Sequence, residues 1–97
     1  MASYIMLANF TALGIRNITA TTQRAKDFKK ATDKVGIKVK DVYWTMGHYD
    51  VVIITEAKDD ESMTAMALAL GRLGNMTTQT LRAFPAKEME KIVGKLS

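Results

Sequence analysis

Cysteine is absent from the 97-residue chain, which excludes a disulfide framework, thiolate zinc sites and cysteine nucleophiles together. Histidine occurs once, at His48. One chain therefore builds neither a multi-histidine metal site nor a Ser-His-Asp arrangement with a spare histidine. No Pro/Gly/Ser-rich or charged run divides the sequence, and its length fits one domain spanning residues 1–97. The apolar stretch from Met1 to Ala8 carries no basic leader and stops at Asn9, too short for a signal peptide or a membrane span. The expectation is a soluble, cytoplasmic domain without a membrane partner.

A net charge of +4 is present, and Arg24, Lys26, Lys29, Lys30 and Lys34 crowd one stretch. On a helix the four lysines fall opposite the apolar stripe, with Arg24 near its edge, which reads as a solvated face and not a nucleic-acid patch. Gly71-Arg72-Leu73-Gly74 lies at a helix end instead of opening one after a strand, so it is no phosphate loop. The methionines of the same helix follow its apolar periodicity and read as core filling instead of a copper site.

Tyr4 to Thr11 is short and β-favouring, and Leu13-Gly14-Ile15 reads as a break. Thr19 to Val35 follows as an amphipathic helix with Ala25, Phe28, Ala31 and Val35 on one side and Gly36 at the C′ position. Ile37 to Met46 and Tyr49 to Ala57 are strand-like runs separated by Gly47-His48, the form of a type II′ hairpin turn in which glycine supplies the positive φ. Asp59-Asp60-Glu61-Ser62 caps a second helix bearing Met63, Met66, Ala67, Leu70 and Leu73, closed by Gly71 and Gly74. Met76 to Phe84 is a fourth strand, and after Pro85 the residues Met89, Ile92, Val93 and Leu96 mark a short third helix.

The order β-α-β-β-α-β-α contains the split β-α-β pattern of the α+β ferredoxin-like fold. Right-handed crossovers then give a four-stranded antiparallel sheet in the order 4-1-3-2, with both main helices on one face. The opposite face is apolar too, because Tyr49, Val51, Ile53 and Thr55 alternate with Asp50, Val52, Ile54 and Glu56, and Met6, Ala8 and Phe10 with Ile5 and Leu7. Two helices cover one face only, and the bare apolar patch predicts a two-fold homodimer or a higher oligomer, the rival reading being a single, unusually apolar sheet. Covering about 400 Å² of apolar surface per chain at about 25 cal/mol per Å² corresponds to roughly 10 kcal/mol before association costs.

A two-residue turn sets Met46 opposite Tyr49, Thr45 opposite Asp50, Trp44 opposite Val51 and Tyr43 opposite Val52. One face then holds Trp44 and Tyr49, the other Tyr43, Thr45 and Asp50. The first strand ends beside this turn, bringing Asn9, Thr11 and Arg16 toward it, and the fourth begins there with Asn75, Thr78 and Thr80. Asn9, Thr11, Trp44, His48, Tyr49, Asp50 and Thr80 are thus candidate ligand-binding residues. Each also has a plainer reading: Asp50 as a turn-capping carboxylate or ion-pair partner, the aromatics as packing, His48 as a solvated loop residue. No catalytic residue and no cofactor is singled out.

The segment from Val42 to Val52, with Gly47, Tyr49 and Asp50 at its motif positions and Trp44 and Thr45 just before them, resembles the GYD domain family, named for its G-x-Y-D pattern. Similarity extends to Asn9-Phe10-Thr11, Gly14 to Ile18, Leu68 to Gly71, Leu73 to Asn75 and Thr80 to Phe84. The resemblance implies a ferredoxin-like dimeric α/β barrel of undefined biochemical role, with His48 at the variable position and Pro85 where related sequences often carry a capping Ser or Thr. Dimeric barrels include cofactor-independent monooxygenases, isomerases and ligand sensors. The sequence leaves three roles open: a homodimeric barrel holding a small, mostly apolar ligand, an enzyme of monooxygenase or isomerase type using Asp50 or Tyr49, and a purely structural module. RNA is disfavoured because strands one and three lack an aromatic RNP pattern.

Overall fold

The computed structural model describes residues 1–96. Strand β1 (Ala2–Phe10) leads through a short helix α1 (Ala12–Arg16) and a 3₁₀ turn (Ile18–Ala20) into α2 (Thr21–Lys34). Strands β2 (Lys38–Trp44) and β3 (Val51–Ala57) form a hairpin, followed by α3 (Asp60–Arg72), β4 (Met76–Ala83) and α4 (Ala86–Gly94). The four strands form one open antiparallel sheet in the order β2-β3-β1-β4. This is the ferredoxin-like α+β architecture that the element order predicts.

The element boundaries follow local chemistry. Asp59 caps α3 by accepting from Ser62 N at 2.8 Å, with Asp60 and Glu61 in the first turn. That backbone N–H also holds the Asp59 carboxyl below its ordinary range. Gly36, at φ 78°, ends α2 in the left-handed region. The expected break at Leu13-Gly14-Ile15 is instead the helical turn α1. Thr11 caps it by accepting from Gly14 N at 3.2 Å, and Gly14 lies so close to the next connection that a Cβ there would sit 2.2 Å from the Asn75 carbonyl oxygen.

Alternation along the strands sorts the side chains. Tyr4, Met6, Ala8, Val39, Val51, Ile53, Thr55 and Ala57 are buried on the face that carries the helices, together with Met63, Met66 and Leu70 of α3. On α2, Phe28 packs against this core and Thr32 is buried, whereas Ala31 is exposed, as is Val35 at the C-cap, at 71%. Thr32 is held there because its hydroxyl donates to Lys29 O, and its carbonyl accepts from Val35 N and Ile37 N. Ile5, Leu7, Val52 and Ile54 point to the other face, where they are only half-buried. α4 has no buried residue, and Met89, Ile92 and Val93 of its apolar stripe, with Leu96 just beyond it, are exposed.

Candidate functional site

The hairpin connection is tied by several hydrogen bonds, both within itself and to β1 and β4. The register sets Trp44 opposite Val51 and Tyr43 opposite Val52, as a Gly47-His48 turn requires, but regular pairing ends there and residues 45–50 form an irregular loop. Gly47 takes φ 111°, a conformation that a β-branched residue resists. Thr45 N donates to Asp50 O at 2.8 Å, and the Thr45 hydroxyl donates to Tyr49 O at 2.6 Å, so the loop closes on itself.

Asp50 joins this loop to β1. Its backbone N–H donates to Ala8 O at 2.9 Å, and its Oδ2 accepts from Phe10 N at 2.9 Å. The carboxylate therefore stands in for a strand carbonyl one step beyond the end of the β1·β3 ladder. Tyr49 reaches the other way, its hydroxyl donating to Gln79 Oε1 at 3.0 Å. Gln79 pairs with Leu7 and Leu7 with Val52, so that contact lies on the open face of the sheet. Trp44 lies on the covered face, with its indole N–H donating to the Thr21 hydroxyl at 3.0 Å. The expectation that Trp44 and Tyr49 share a face thus fails, because the irregular 45–50 segment breaks the alternation on which it depends.

The remaining candidates scatter. Asn9 pairs with Thr77 on the open face, and Thr80 pairs with Met6 on the covered face. Thr11 binds the α3–β4 connection: its hydroxyl donates to Gly74 O at 2.6 Å and its N–H to Asn75 O at 3.0 Å. His48 is exposed at the tip of the hairpin. These side chains do not converge on one cavity.

A different cavity opens between α2 and α3 over the covered face of the sheet. It has a volume of about 850 Å³ and is walled by Phe10, Phe28, Val42, Trp44, Met66 and Leu70 among others. Of the seven candidate residues, Trp44 alone lines it. Its signal in the sequence was divided between two helices and four strands. The spacing of the helices, which no local pattern reports, creates it.

A second missed cluster lies at the opposite end of β1. Buried Tyr4 donates its hydroxyl to Asp60 Oδ1, in the first turn of α3, at 2.5 Å. That hydrogen bond, reinforced by burial, pushes the phenol up to about 12. Arg82 covers the Tyr4 ring at 5.6 Å and the Phe84 ring at 4.6 Å, and pairs with Glu88 at 3.5 Å. The neutral phenol locks α3 to the sheet. The pairing of Tyr4 with Arg82 across β1 and β4 is the only feature that a correct strand register would have exposed.

Among the described residues, no three His, Asp or Glu side chains come together to hold a metal ion, and no helix is long and apolar enough to cross a membrane.

Comparisons with known proteins bear on this geometry. A Thermus thermophilus protein named glutamine synthetase and cystathionine beta-lyase binding protein is 28% identical over 90 residues, covering 92% of this chain and 95% of that one. No solved structure matches the chain. The family model described as GYD domain matches residues 4–93, a span that includes the positive-φ Gly47, the bridging Tyr49 and the strand-tying Asp50. The chain belongs to the GYD domain family.

Proposed function

We propose that the protein is a cytoplasmic homodimeric barrel that holds a small, mostly apolar molecule in the cleft between α2 and α3 of each protomer. The observation that carries this reading is the cleft itself: about 850 Å³ with walls of Phe10, Phe28, Val42, Met66 and Leu70, a size and character typical of small-molecule sites. The half-buried Ile5, Leu7, Val52 and Ile54, flanked by Tyr43 at 56% and Leu81 at 39% exposure, support pairing of the open sheet face with a second copy. Native mass spectrometry and sedimentation at micromolar concentration are expected to give twice the chain mass, with an added small mass per protomer that is lost on denaturation. A monodisperse, ligand-free monomer would overturn the reading.

A second reading draws on the name of the Thermus thermophilus relative, a protein that binds two enzymes. In that case the exposed aromatic and apolar side chains of the open face are a docking surface for a metabolic enzyme. Co-migration with glutamine synthetase or cystathionine beta-lyase in size-exclusion chromatography, lost in Tyr43→Glu, is the outcome that favours it over self-pairing.

A further inference from the structure

The cleft is apolar along most of its length and charged at one end. β1 ends at Phe10 and leads toward α2, which starts at Thr21, while α3 ends at Arg72 and leads into β4 at Met76. Phe10 and Met76 are paired in the sheet, so the start of α2 and the end of α3 meet at the same end of the cleft. The charged residues that line it are Arg24, Asp27 and Arg72. Asp27 already accepts from Gln23 Nε2 at 3.0 Å, and no acidic residue stands in the first turn of α2. The guanidinium groups of Arg24 and Arg72 have no ion pair or hydrogen bond with any described residue.

Asn75 lies at the same end. It lines the cleft, and its Oδ1 is buried without a hydrogen-bond partner among the described residues. An unpaired buried amide oxygen is costly, and rotation of the amide turns either a donor or an acceptor toward an occupant. Two unpaired guanidinium groups beside an apolar wall attract a planar anion, which each can grip with two parallel N–H donors.

We propose that the cleft takes an amphipathic anion, its apolar body against Phe28, Val42, Met66 and Leu70 and its carboxylate or comparable head group held by Arg24 and Arg72. Resting on the ligand-binding role of the cleft, the assignment adds the chemical class of the ligand and the direction in which it lies.

Trp44 is the chain's single tryptophan and lines the cleft, so its emission reads occupancy there and not on the open sheet face. Dodecanoate and dodecanol, which differ only in the head group, are titrated below their micellar and solubility limits at neutral pH. Dodecanoate is expected to bind about ten-fold more tightly than dodecanol, a preference that weakens with added salt. In an Arg24→Gln/Arg72→Gln variant the preference is expected to vanish while dodecanol binding is unchanged. Arg72 is exposed and Arg24 half-buried, and an unaltered thermal midpoint confirms that the variant folds. Equal affinities in the parent, or a preference that survives in the variant, overturn the head-group assignment and leave the apolar cleft standing. No change in Trp44 emission with either compound overturns both.

Discussion

The two faces of the sheet are built from similar residues and stand in different surroundings. On the covered face Tyr4, Met6, Ala8, Val51 and Ile53 are each at most 3% exposed. Their immediate neighbours Ile5, Leu7, Val52 and Ile54, equally apolar, are half-buried on the other face. Strand alternation with one wet face would place polar residues at these second positions. Their apolar character is therefore a property of the sheet that the isolated chain does not use, and a second layer would use it. The two faces should accordingly respond to truncation in different ways.

The largest effect is expected from Met6→Ala. Met6 is 0% exposed on the covered face, and its truncation should cost roughly 2 to 5 kcal/mol through lost burial and a residual cavity. That cost should be the same at every protein concentration. Leu7→Ala, on the open face, should leave the monomer's stability nearly unchanged and shift the denaturation midpoint only where the proposed dimer is populated. Urea titrations at two well-separated protein concentrations distinguish these responses. A Leu7→Ala loss as large as that of Met6→Ala and independent of concentration would mean that the open face is packed within one chain.

An intermediate effect is expected at the rim where the two faces meet. Asp50 lies in the plane of the sheet and satisfies the N–H of Phe10, so Asp50→Ala should cost roughly 1 to 3 kcal/mol by leaving that donor unpaired. Asp50→Asn keeps an acceptor oxygen and should cost less. Amide hydrogen exchange at Phe10, faster in the alanine variant and near the parent rate in the asparagine one, checks the assignment. Equal exchange in all three proteins would detach the motif aspartate from the strand.

The smallest effect sharpens the covered side. Tyr4 has an ordinary value of 10.0, raised to about 12 in the folded chain. The folded state thus holds the phenol proton more tightly than the unfolded state does. Its contribution to stability is complete below pH 10.0 and is lost as pH rises toward about 12. Tyr4→Phe should cost about 1 kcal/mol at neutral pH and flatten the alkaline decline within that window. Thermal midpoints measured against pH for both proteins provide the check, and parallel alkaline limbs would remove the Tyr4–Asp60 bond as their cause.

What the sequence determined by itself is the part governed by short-range rules. Strand and helix types, the Asp59 cap, the Gly36 terminus, the pairing of Trp44 with Val51 and the double apolar character of the sheet depend on periodicity and turn chemistry within a few residues. The G-x-Y-D segment was legible as a motif, but its contacts were not. Whether Tyr49 points up or down depends on an irregular six-residue loop, residues 45–50, in which the two-residue alternation no longer applies. The partner of the Asp50 carboxylate, the Phe10 N–H, is 40 residues away, and that of Tyr4, Asp60, is 56 away. Only tertiary structure decided these, and only the separation of α2 from α3 across the sheet could open a cleft whose walls come from two helices and all four strands. The physical reason is common to all three cases: each depends on where distant elements come to rest against one another, a sum of packing terms that no local window of residues contains.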